Sequence, residues 1–517
     1  MKKLSITSRD ILLSFAAALV ISLVMAVFLS KPFFSAWYGS WLLMWLCFFL
    51  GLKIWRFFHG GRLLAALMLV TFFSRLFLGL FIYTALPQIG FDNDVENAGY
   101  AYSDAYNRDT QALVWARREG PLTAIFTSDE SPDQYGGLLF LSASLYRFFS
   151  VDQARPLLTT IMAAFTMTAG LAFLHDAIKR RWGARVALVA AWFYALYPES
   201  VLLGSAQMRE PFLIGLFSIA FWAVVTWREK TGQKLLFFIL PMAVSVAISL
   251  PFGVILSGLL LMFGFVDWLS EQTSPRIRNI GIVVLAFAGV IAVIAGWMWV
   301  KPTIYYDAFM TRASSGNMTV LLERMGEKWH IPFVTIYGLT QPFLPGALTD
   351  ESLPFWRATA IIRALGWWFV IPFIPYGFFA VWKAKPRSDR WSLVFIVLAL
   401  GAWMLVSSIR AGGDLWDNPR YRALLVPWFA LLIGWCWQHI RQGYLAWFLR
   451  WVGVMLVFFS VFFLWYMYRY QVIKDYIGFF DMIRVIVVGS AVIISTGLLW
   501  DGYKWLRSRR VPAPPGD

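Results

Sequence analysis

The sequence contains little cysteine, histidine or charge. It has 2 cysteines and 4 histidines among 517 residues, and both cysteines, Cys47 and Cys436, fall in apolar segments. They offer neither a disulfide framework nor a CxxC metal site. A GxxxxGK[ST] loop, a GxGxxG turn and an HExxH motif are also missing. Nucleotide cofactors and structural zinc are therefore not expected, and the residues indicate no metal site.

Low charge excludes an ordinary soluble enzyme. Charged residues make up 14% of the chain and hydrophobic residues 59%, with a mean hydropathy of +0.64. Apolar stretches of about 20 residues predict membrane-spanning helices, and without alternating polarity they do not fit a β-barrel. We predict an all-α polytopic membrane protein with about 14 spans. Their approximate ranges are 10–30, 41–56, 63–86, 156–177, 184–203, 208–227, 234–250, 252–270, 279–299, 360–382, 391–408, 421–438, 446–467 and 483–501.

The net charge of +16 is a topology signal. With these spans, one set of loops carries roughly 25 Lys/Arg and 8 Asp/Glu, and the other roughly 18 and 21. The basic loops are expected inside, which makes both termini cytoplasmic in a cytoplasmic membrane. No single basic face forms, so nucleic acid is not an expected partner.

Residues 137–149 are apolar but measure only about 20 Å as a helix, too short to cross a bilayer. A crossing there would also place the basic turn Lys179–Arg185 outside. We therefore expect an interfacial helix on the outer face.

The predicted spans divide the chain into six segments. Three N-terminal spans (1–86) precede an outer loop with interfacial helices (87–155), which carries the candidate catalytic residue. A membrane core (156–300), a second outer loop (301–359), the C-terminal spans (360–501) and a cytoplasmic tail (502–517) follow. Most polar material that can build a site lies on the outer face.

The first outer loop, from Pro87 to Gly136, concentrates carboxylates at the membrane surface. Asp104 and Asp109 are five residues apart, with Tyr106 and Arg108 between them. A helix here would lie along the surface and point the two carboxylates to different sides. Asp104 is the candidate general base, and the other three are supporting candidates. The alternative is that these carboxylates are simply solvated.

Other outer groups are candidates to converge on this loop. Arg209 and Glu210 begin a predicted helix, Glu199 ends one, and Arg420 and Arg422 begin another. Ionisable residues at the bilayer boundary are functional candidates, and arginine binds phosphate through paired donors. Two alternatives stay open: Glu199 pairs with Arg209, or the two later arginines snorkel to lipid headgroups.

Several motifs, in order, resemble those of GT-C glycosyltransferases of the protein O-mannosyltransferase and aminoarabinose-transferase type. The matching pieces are SDAYNRDTQALVWARREG, SPDQYGGLLFLSASLYRFF, QARPLLTTIMAAFTMTAGLAFL, IKRRWGARVALVAAWFYALYPES, QMREPF and NPRYRALLVPWFALLIGW. The resemblance covers about the middle third of the chain and one later helix. Two extra spans precede the loop here. Asp104-Ala105 stands where the family has an acidic pair, and the segment 132–135 replaces a pair of prolines.

The resemblance implies an inverting transfer of a sugar from a polyprenyl-phosphate donor to an acceptor at the outer face. By motif, Asp104 matches the base, and Arg155 and Arg209 match positions that line the cavity. Arg420 and Arg422 lie in the segment similar to a late "RY…P" helix of these enzymes. The expected partners are a polyprenyl-phosphate sugar, membrane lipids and an acceptor of unassigned class. The scheme needs no metal, although some relatives use one.

Two other readings remain open. A transporter or lipid flippase predicts internal repeats and charges near the bilayer midplane. The sequence has no repeat, and its polar residues gather at one face. A polysaccharide polymerase or ligase also has many spans with outer arginines, but the first loop with its carboxylates and surface helices favours the transferase.

Overall fold

The computed structural model describes residues 8–28, 32–127, 136–229, 231–313, 323, 325–412, 414–470, 472–474 and 478–510, and every regular element in these ranges is helical. The all-α prediction is thereby confirmed for this part of the chain. The α-helices are α1 (Ser8–Phe28), α2 (Phe33–Phe57), α3 (Arg62–Ile89), α4 (Asp94–Asn97), α5 (Ser103–Arg117), α6 (Gly137–Phe149), α7 (Pro156–Trp182), α8 (Ala184–Leu196), α9 (Pro198–Gly204), α10 (Glu210–Val225), α11 (Thr231–Ile248), α12 (Leu250–Ser270), α13 (Pro275–Ala313), α14 (His330–Thr340), α15 (Leu344–Leu348), α16 (Pro354–Val370), α17 (Phe373–Ala380), α18 (Arg387–Ala411), α19 (Asp417–Ala423), α20 (Val426–His439), α21 (Leu445–Arg469) and α22 (Phe479–Arg510). Short 3₁₀ or π turns occupy Leu122–Thr127, Trp227–Glu229, Glu327–Trp329, Val381–Lys383 and Ile440–Tyr444. The replaced proline pair at 132–135 and the tail from 511 onward lie outside the described residues.

The chain is a multi-pass membrane protein, but the predicted count of 14 spans is not confirmed. In the described ranges, ten helical stretches are long and apolar enough to cross a membrane, or eleven if α8 and α9, bent by 53°, form one span. The helix α10 has 16 residues, about 24 Å, which is short of the roughly 30 Å hydrocarbon core. Two predicted spans also run together as Val426–Arg469, interrupted at Gly443 with φ 105°. Every predicted span is nevertheless helical along most of its length.

The chain forms two compact units. The first comprises Met1–Leu339 and Ala384–Trp435, and the second Thr340–Lys383 and Cys436–Asp517. In the second unit, α21 packs along α22, and α15 packs on α16 and α21. All candidate site residues belong to the first unit, so the site is built within one compact body. The six predicted segments stay a prediction.

The helix α7 is the most buried span of the first unit, with 83% of its apolar window inside the protein. It packs extensively against α10 and α3. Glycine makes the closest approach possible: a Cβ at Gly170 would lie 2.7 Å from the Cα of Gly215 in α10. The backbones can meet because neither position carries a side chain. This contact fixes the helix that begins at the candidate residue Glu210.

The predicted surface helix is observed as α5, and the predicted short helix at 137–149 as α6, with the same bounds. The two pack against each other. Arg147 of α6 donates hydrogen bonds to the carbonyls of Trp115, Ala116, Arg118 and Gly120 at the end of α5, at 2.7–3.2 Å. These carbonyls would otherwise lack donors. The placement of α6 at a membrane interface stays a prediction.

At the end of α7, the turn predicted to be basic is partly neutralised. Arg181 pairs with Asp267 of α12 at 2.5 Å and with Asp389 of α18 at 3.1 Å. These contacts clamp three helices of the first unit together at the end opposite to the start of α7.

Candidate active site

Three carboxylates from three segments share one guanidinium near the start of α10. Nη1 of Arg420 lies 2.9 Å from Oδ1 of Asp417 and 3.2 Å from Oδ2 of Asp104, and Nη2 lies 3.3 Å from Oε1 of Glu210. Arg420 itself is buried, with 6% exposure. We call these four side chains the Arg420 cluster. It brings the predicted base together with two other predicted site residues.

Local sequence places each carboxylate at the start of a helix. Asp104 is in the first turn of α5, Glu210 is the first residue of α10, and Asp417 is the first residue of α19. Prolines follow closely in the last two helices, at Pro211 and Pro419, where a missing N–H costs no hydrogen bond. The positive end of each helix dipole favours a negative charge at these positions. The local sequence thus places each carboxylate on its own helix, whereas their meeting at Arg420 depends on the packing of the helices.

The three carboxylates differ in access to solvent. The side chain of Glu210 is fully buried, whereas those of Asp104 and Asp417 are 54% and 43% exposed. A buried carboxylate serves to hold the guanidinium, because it cannot meet a ligand directly. Asp104 can both touch Arg420 and receive a proton from a molecule arriving from solution.

Arg420 stays charged in this setting. Burial lowers the pKa of its guanidinium, but the charges of Glu210, Asp417 and Asp104 outweigh burial and raise that pKa. Burial likewise raises the pKa of Asp417, against the effect of Arg420. In the described part of the chain, Nε of Arg420 is buried and has no acceptor. The three carboxylates thus leave this one N–H group of the guanidinium unused.

Two further arginines surround Glu210. Nε of Arg209 lies 3.6 Å from the carboxylate of Glu210, and its guanidinium lies 5.1 Å from the ring centre of Phe252. Nη1 of Arg108 donates to the carbonyl of Gln207 at 2.9 Å. Arg108 thereby ties α5 to the segment that leads into α10.

Glu199 is almost fully buried, with 1% exposure, in the first turn of α9. The sequence left open whether it pairs with Arg209. The ion pair that the structure gives Arg209 is with Glu210. The carboxylates that contact Arg420 are those of Asp104, Glu210 and Asp417, so Glu199 is not part of the Arg420 cluster.

Asp109 points into the protein, away from the side on which Asp104 meets Arg420, as the helical spacing predicts. It is 1% exposed and accepts hydrogen bonds from the hydroxyls of Tyr100 and Tyr146. Burial raises the pKa of Asp109 to about 6, although the two tyrosine hydrogen bonds act to lower it. The ring of Tyr106 packs edge-on against Tyr100, at 5.4 Å. Through these hydrogen bonds, Asp109 anchors α5 to the interior of the protein.

Arg155 makes contacts of a different kind. It pairs through both terminal nitrogens with Asp152, at 2.8 Å each, and donates to Ser35 at 3.1 Å and to Ser150. The hydrogen bonds from Arg155 hold the pKa of Asp152 down at about 2. These contacts staple the turn before α7 to the start of α2, so the structure gives Arg155 a place in that turn and not in the Arg420 cluster.

Arg422 is 1% exposed and donates to the carbonyl of Leu339 at 3.2 Å. This contact directs it towards α14. Arg420 and Arg422 are both buried within the protein, which disfavours the alternative that they snorkel to the surrounding lipid headgroups.

Sequence reasoning missed several residues that the structure brings to the site. Asp417 stands three residues before Arg420, a helical spacing that could have identified it. Tyr100 and Tyr146 gave no signal, because their meeting at Asp109 depends on the packing of α6 on α5.

The arrangement offers two chemical capacities side by side. A half-exposed carboxylate can accept a proton. The charged guanidinium beside it can bind and stabilise an anion. Within the described ranges, no group of three or more His, Cys, Asp or Glu side chains is arranged to hold a metal ion.

No protein-family model and no curated protein matches this chain. Several solved structures are similar to it, and two of them are described here. One is the archaeal oligosaccharyltransferase AglB from Archaeoglobus fulgidus, in complex with an inhibitory peptide and a dolichol-phosphate: TM-score 0.38, 12% identity, covering 82% of this chain and 55% of AglB. The other is ArnT from Cupriavidus metallidurans bound to undecaprenyl phosphate: TM-score 0.33, 14% identity, covering 77% of this chain and 75% of ArnT.

The chain spans little more than half the length of AglB. At these identities and TM-scores the likeness assigns no activity and no residue, so residue roles follow from the contacts above.

Proposed function

We propose that this protein is a membrane glycosyltransferase that moves a sugar from a polyprenyl-phosphate donor to an acceptor hydroxyl at the outer face of the cytoplasmic membrane. The observation that carries the proposal is the half-exposed Asp104 carboxylate held 3.2 Å from the buried guanidinium of Arg420. A transferase using a lipid-phosphate sugar needs both groups, one for the acceptor's proton and one for the departing phosphate.

In the proposed reaction, Asp104 removes the proton of the acceptor hydroxyl. The resulting oxygen attacks the anomeric carbon from the face opposite to the phosphate, which inverts the configuration. The bond between that carbon and the phosphate oxygen breaks, and its electron pair leaves with the polyprenyl phosphate. The acceptor oxygen thus gains the sugar, and the proton resides on Asp104 until solvent takes it.

Arg420 is proposed to stabilise the phosphate as negative charge develops on it. Asp104 accepts a hydrogen bond from Nη1 of Arg420. The phosphate of an arriving lipid-linked sugar competes for this N–H group. Binding of that substrate therefore releases the Asp104 carboxylate to act as a base. Glu210 and Asp417 keep the guanidinium in place during this exchange.

Arg209 is proposed to add positive charge beside the donor phosphate. It is paired with the buried Glu210 and stacked near Phe252, an apolar ring suited to the first units of a lipid tail. Arg155 and Arg422 are engaged elsewhere by their hydrogen bonds, so the donor site is assigned to Arg209 and Arg420.

The test combines binding with product analysis. Undecaprenyl phosphate is titrated onto the purified protein in nanodiscs, and surface glycans of a deletion strain are compared by mass spectrometry after complementation with wild type or Asp104→Asn. The proposal expects binding by both proteins and restoration of a missing glycan by wild type only. A complete glycan profile in the deletion strain, or lack of lipid-phosphate binding, contradicts it and favours a transporter or a polymerase.

A further inference from the structure

A buried charge in the third helix is not part of the candidate site. Arg75 lies midway along α3, a candidate span of 28 residues, and is 0% exposed. A guanidinium in an apolar interior costs several kcal/mol unless its donors are hydrogen-bonded. Its place in the bundle therefore depends on what it binds there.

Arg75 binds the end of another helix. Its Nη1 donates to the carbonyl of Ala195 at 3.0 Å, and its Nη2 donates to the carbonyl of Tyr194 at 3.2 Å and to the hydroxyl of Ser200 at 3.0 Å. In the described part of the chain its hydrogen-bond partners are all neutral oxygens, including Thr71 of its own helix at 2.9 Å. The guanidinium thus joins the last turn of α8 to the first turns of α9.

The sequence explains why this helix end needs a donor. In a continuous helix, the carbonyl of Tyr194 would accept from the N–H of residue 198. That residue is Pro198, which has no N–H, and the axis bends by 53° between α8 and α9. The carbonyls at the end of α8 also form the negative end of its dipole. Arg75 supplies both the missing hydrogen bonds and the positive charge.

The bent segment leads directly to the Arg420 cluster. A Cβ at Gly204, the last residue of α9, would lie 2.7 Å from Cδ of Arg75, so the chain rests on the arginine. Three residues later, Gln207 accepts the hydrogen bond from Arg108 of α5. Glu210, which holds Arg420, follows three residues after that.

We propose that Arg75 is a positioning residue, which fixes the α8–α9 break and thereby the segment that carries Gln207 and Glu210 to the site. As a statement about catalysis this rests on the proposed transferase function, whereas the fixed segment can be tested without any activity. Arg75 does not touch the reacting groups. It acts through the backbone between α9 and α10.

The first readout is independent of catalysis. The substitution Ala206→Cys, at a partly exposed position beside Gln207, reports the conformation of the segment through the rate at which the new thiol is alkylated. Arg75→Leu should change this rate several-fold, and Arg75→Lys less, because an ammonium still donates to part of the same carbonyls. Arg363→Leu is the matched control. It removes a buried arginine, 4% exposed, from a span in the second unit, so it should leave the alkylation rate of the Ala206→Cys protein unchanged.

The second readout separates positioning from stability. Adding Pro198→Ala to Arg75→Leu returns an N–H to the carbonyl of Tyr194, so thermal stability should recover in part. The second substitution does not restore the bend between α8 and α9. The kcat should therefore stay at least about 10-fold below wild type, because small misplacements of reacting groups cost this much. The KM for the lipid-phosphate sugar should change little. If Arg75→Leu does not fold, Arg75→Lys carries both readouts.

The inference is overturned if alkylation at position 206 is the same in wild type and both Arg75 variants, or if the double variant recovers kcat together with stability. If no transferase activity exists in any variant, the proposed function fails, while the alkylation rates still decide whether Arg75 fixes the segment.

Discussion

At the scale of single residues, the fork of Arg420 organises the site, because one planar group meets three carboxylates at 2.9–3.3 Å. A lysine keeps the charge but offers a single nitrogen, which cannot span the same three partners. Arg420→Lys should therefore lower turnover at least about 10-fold, since one charge-assisted hydrogen bond is worth roughly 1.5–3 kcal/mol. Steady-state kinetics measure this.

The matched control is Arg118→Lys. Arg118 stacks on the ring of Trp115 at 4.5 Å, after the end of α5, and is no part of the Arg420 cluster. Its replacement should leave turnover within about twofold, as expected for a surface substitution. Equal losses in the two variants would show that the geometry of the fork is irrelevant.

Asp109 gives a pH dependence of stability with a defined sign. Burial raises its pKa from 3.8 to about 6 in the folded protein, so the folded state binds a proton more tightly than the unfolded state. Its contribution to stability is therefore present in acid and is lost as the pH rises through about 6. Relative to Asp109→Asn, wild type should gain thermal stability on acidification from about pH 7 to about pH 5. A constant difference in Tm between the two proteins over this range would refute the assignment.

At the scale of elements, the packing of α6 against α5 holds Asp104 in place. Arg147 of α6 connects the two helices by donating hydrogen bonds to four carbonyls at the end of α5. Arg147→Ala leaves these carbonyls without their donor. Amide hydrogen exchange should speed up in the second half of α5, with little change in α1 and α2, because local stability follows local hydrogen bonding. Arg357→Ala, which removes a single bond to the carbonyl of Leu348 in the second unit, is the control. Unchanged exchange in α5 would contradict this role.

Elements were more predictable from the sequence than contacts. Apolar length and loop charge were enough to predict α5, α6 and the spanning helices, because those signals are local. The predicted span 208–227 was too long, because its apolar sequence does not show that the helix α10 ends at Val225. Asp104 and Glu210 stand 316 and 210 residues before Arg420 in the sequence. No local pattern encodes contacts over such separations. Arg155 matched a motif, yet it forms an ion pair with Asp152, which stands three residues before it in the sequence.

At the scale of the whole molecule, the charge split predicts which ends of the helices face outward. The start of α5 should lie outside and the turn between α7 and α8 inside. Ser103 and Arg185 are exposed at these two ends, and the native Cys47 and Cys436 are buried. In intact cells, an impermeant maleimide should label Ser103→Cys and leave Arg185→Cys unlabelled. Labelling in the reverse pattern would invert the topology and remove the site from the outer face.

The most direct test of the central claim compares Asp104→Asn with Asp109→Asn in one transfer assay. Asp104→Asn keeps the size of the side chain but cannot accept the acceptor's proton, so transfer should fall by roughly 10²–10⁴-fold with lipid-phosphate binding retained. Asp109→Asn changes a buried anchor beneath α5, so it should lower stability and cost much less activity. An inactive Asp109→Asn beside an active Asp104→Asn would contradict the assignment of Asp104 as the base.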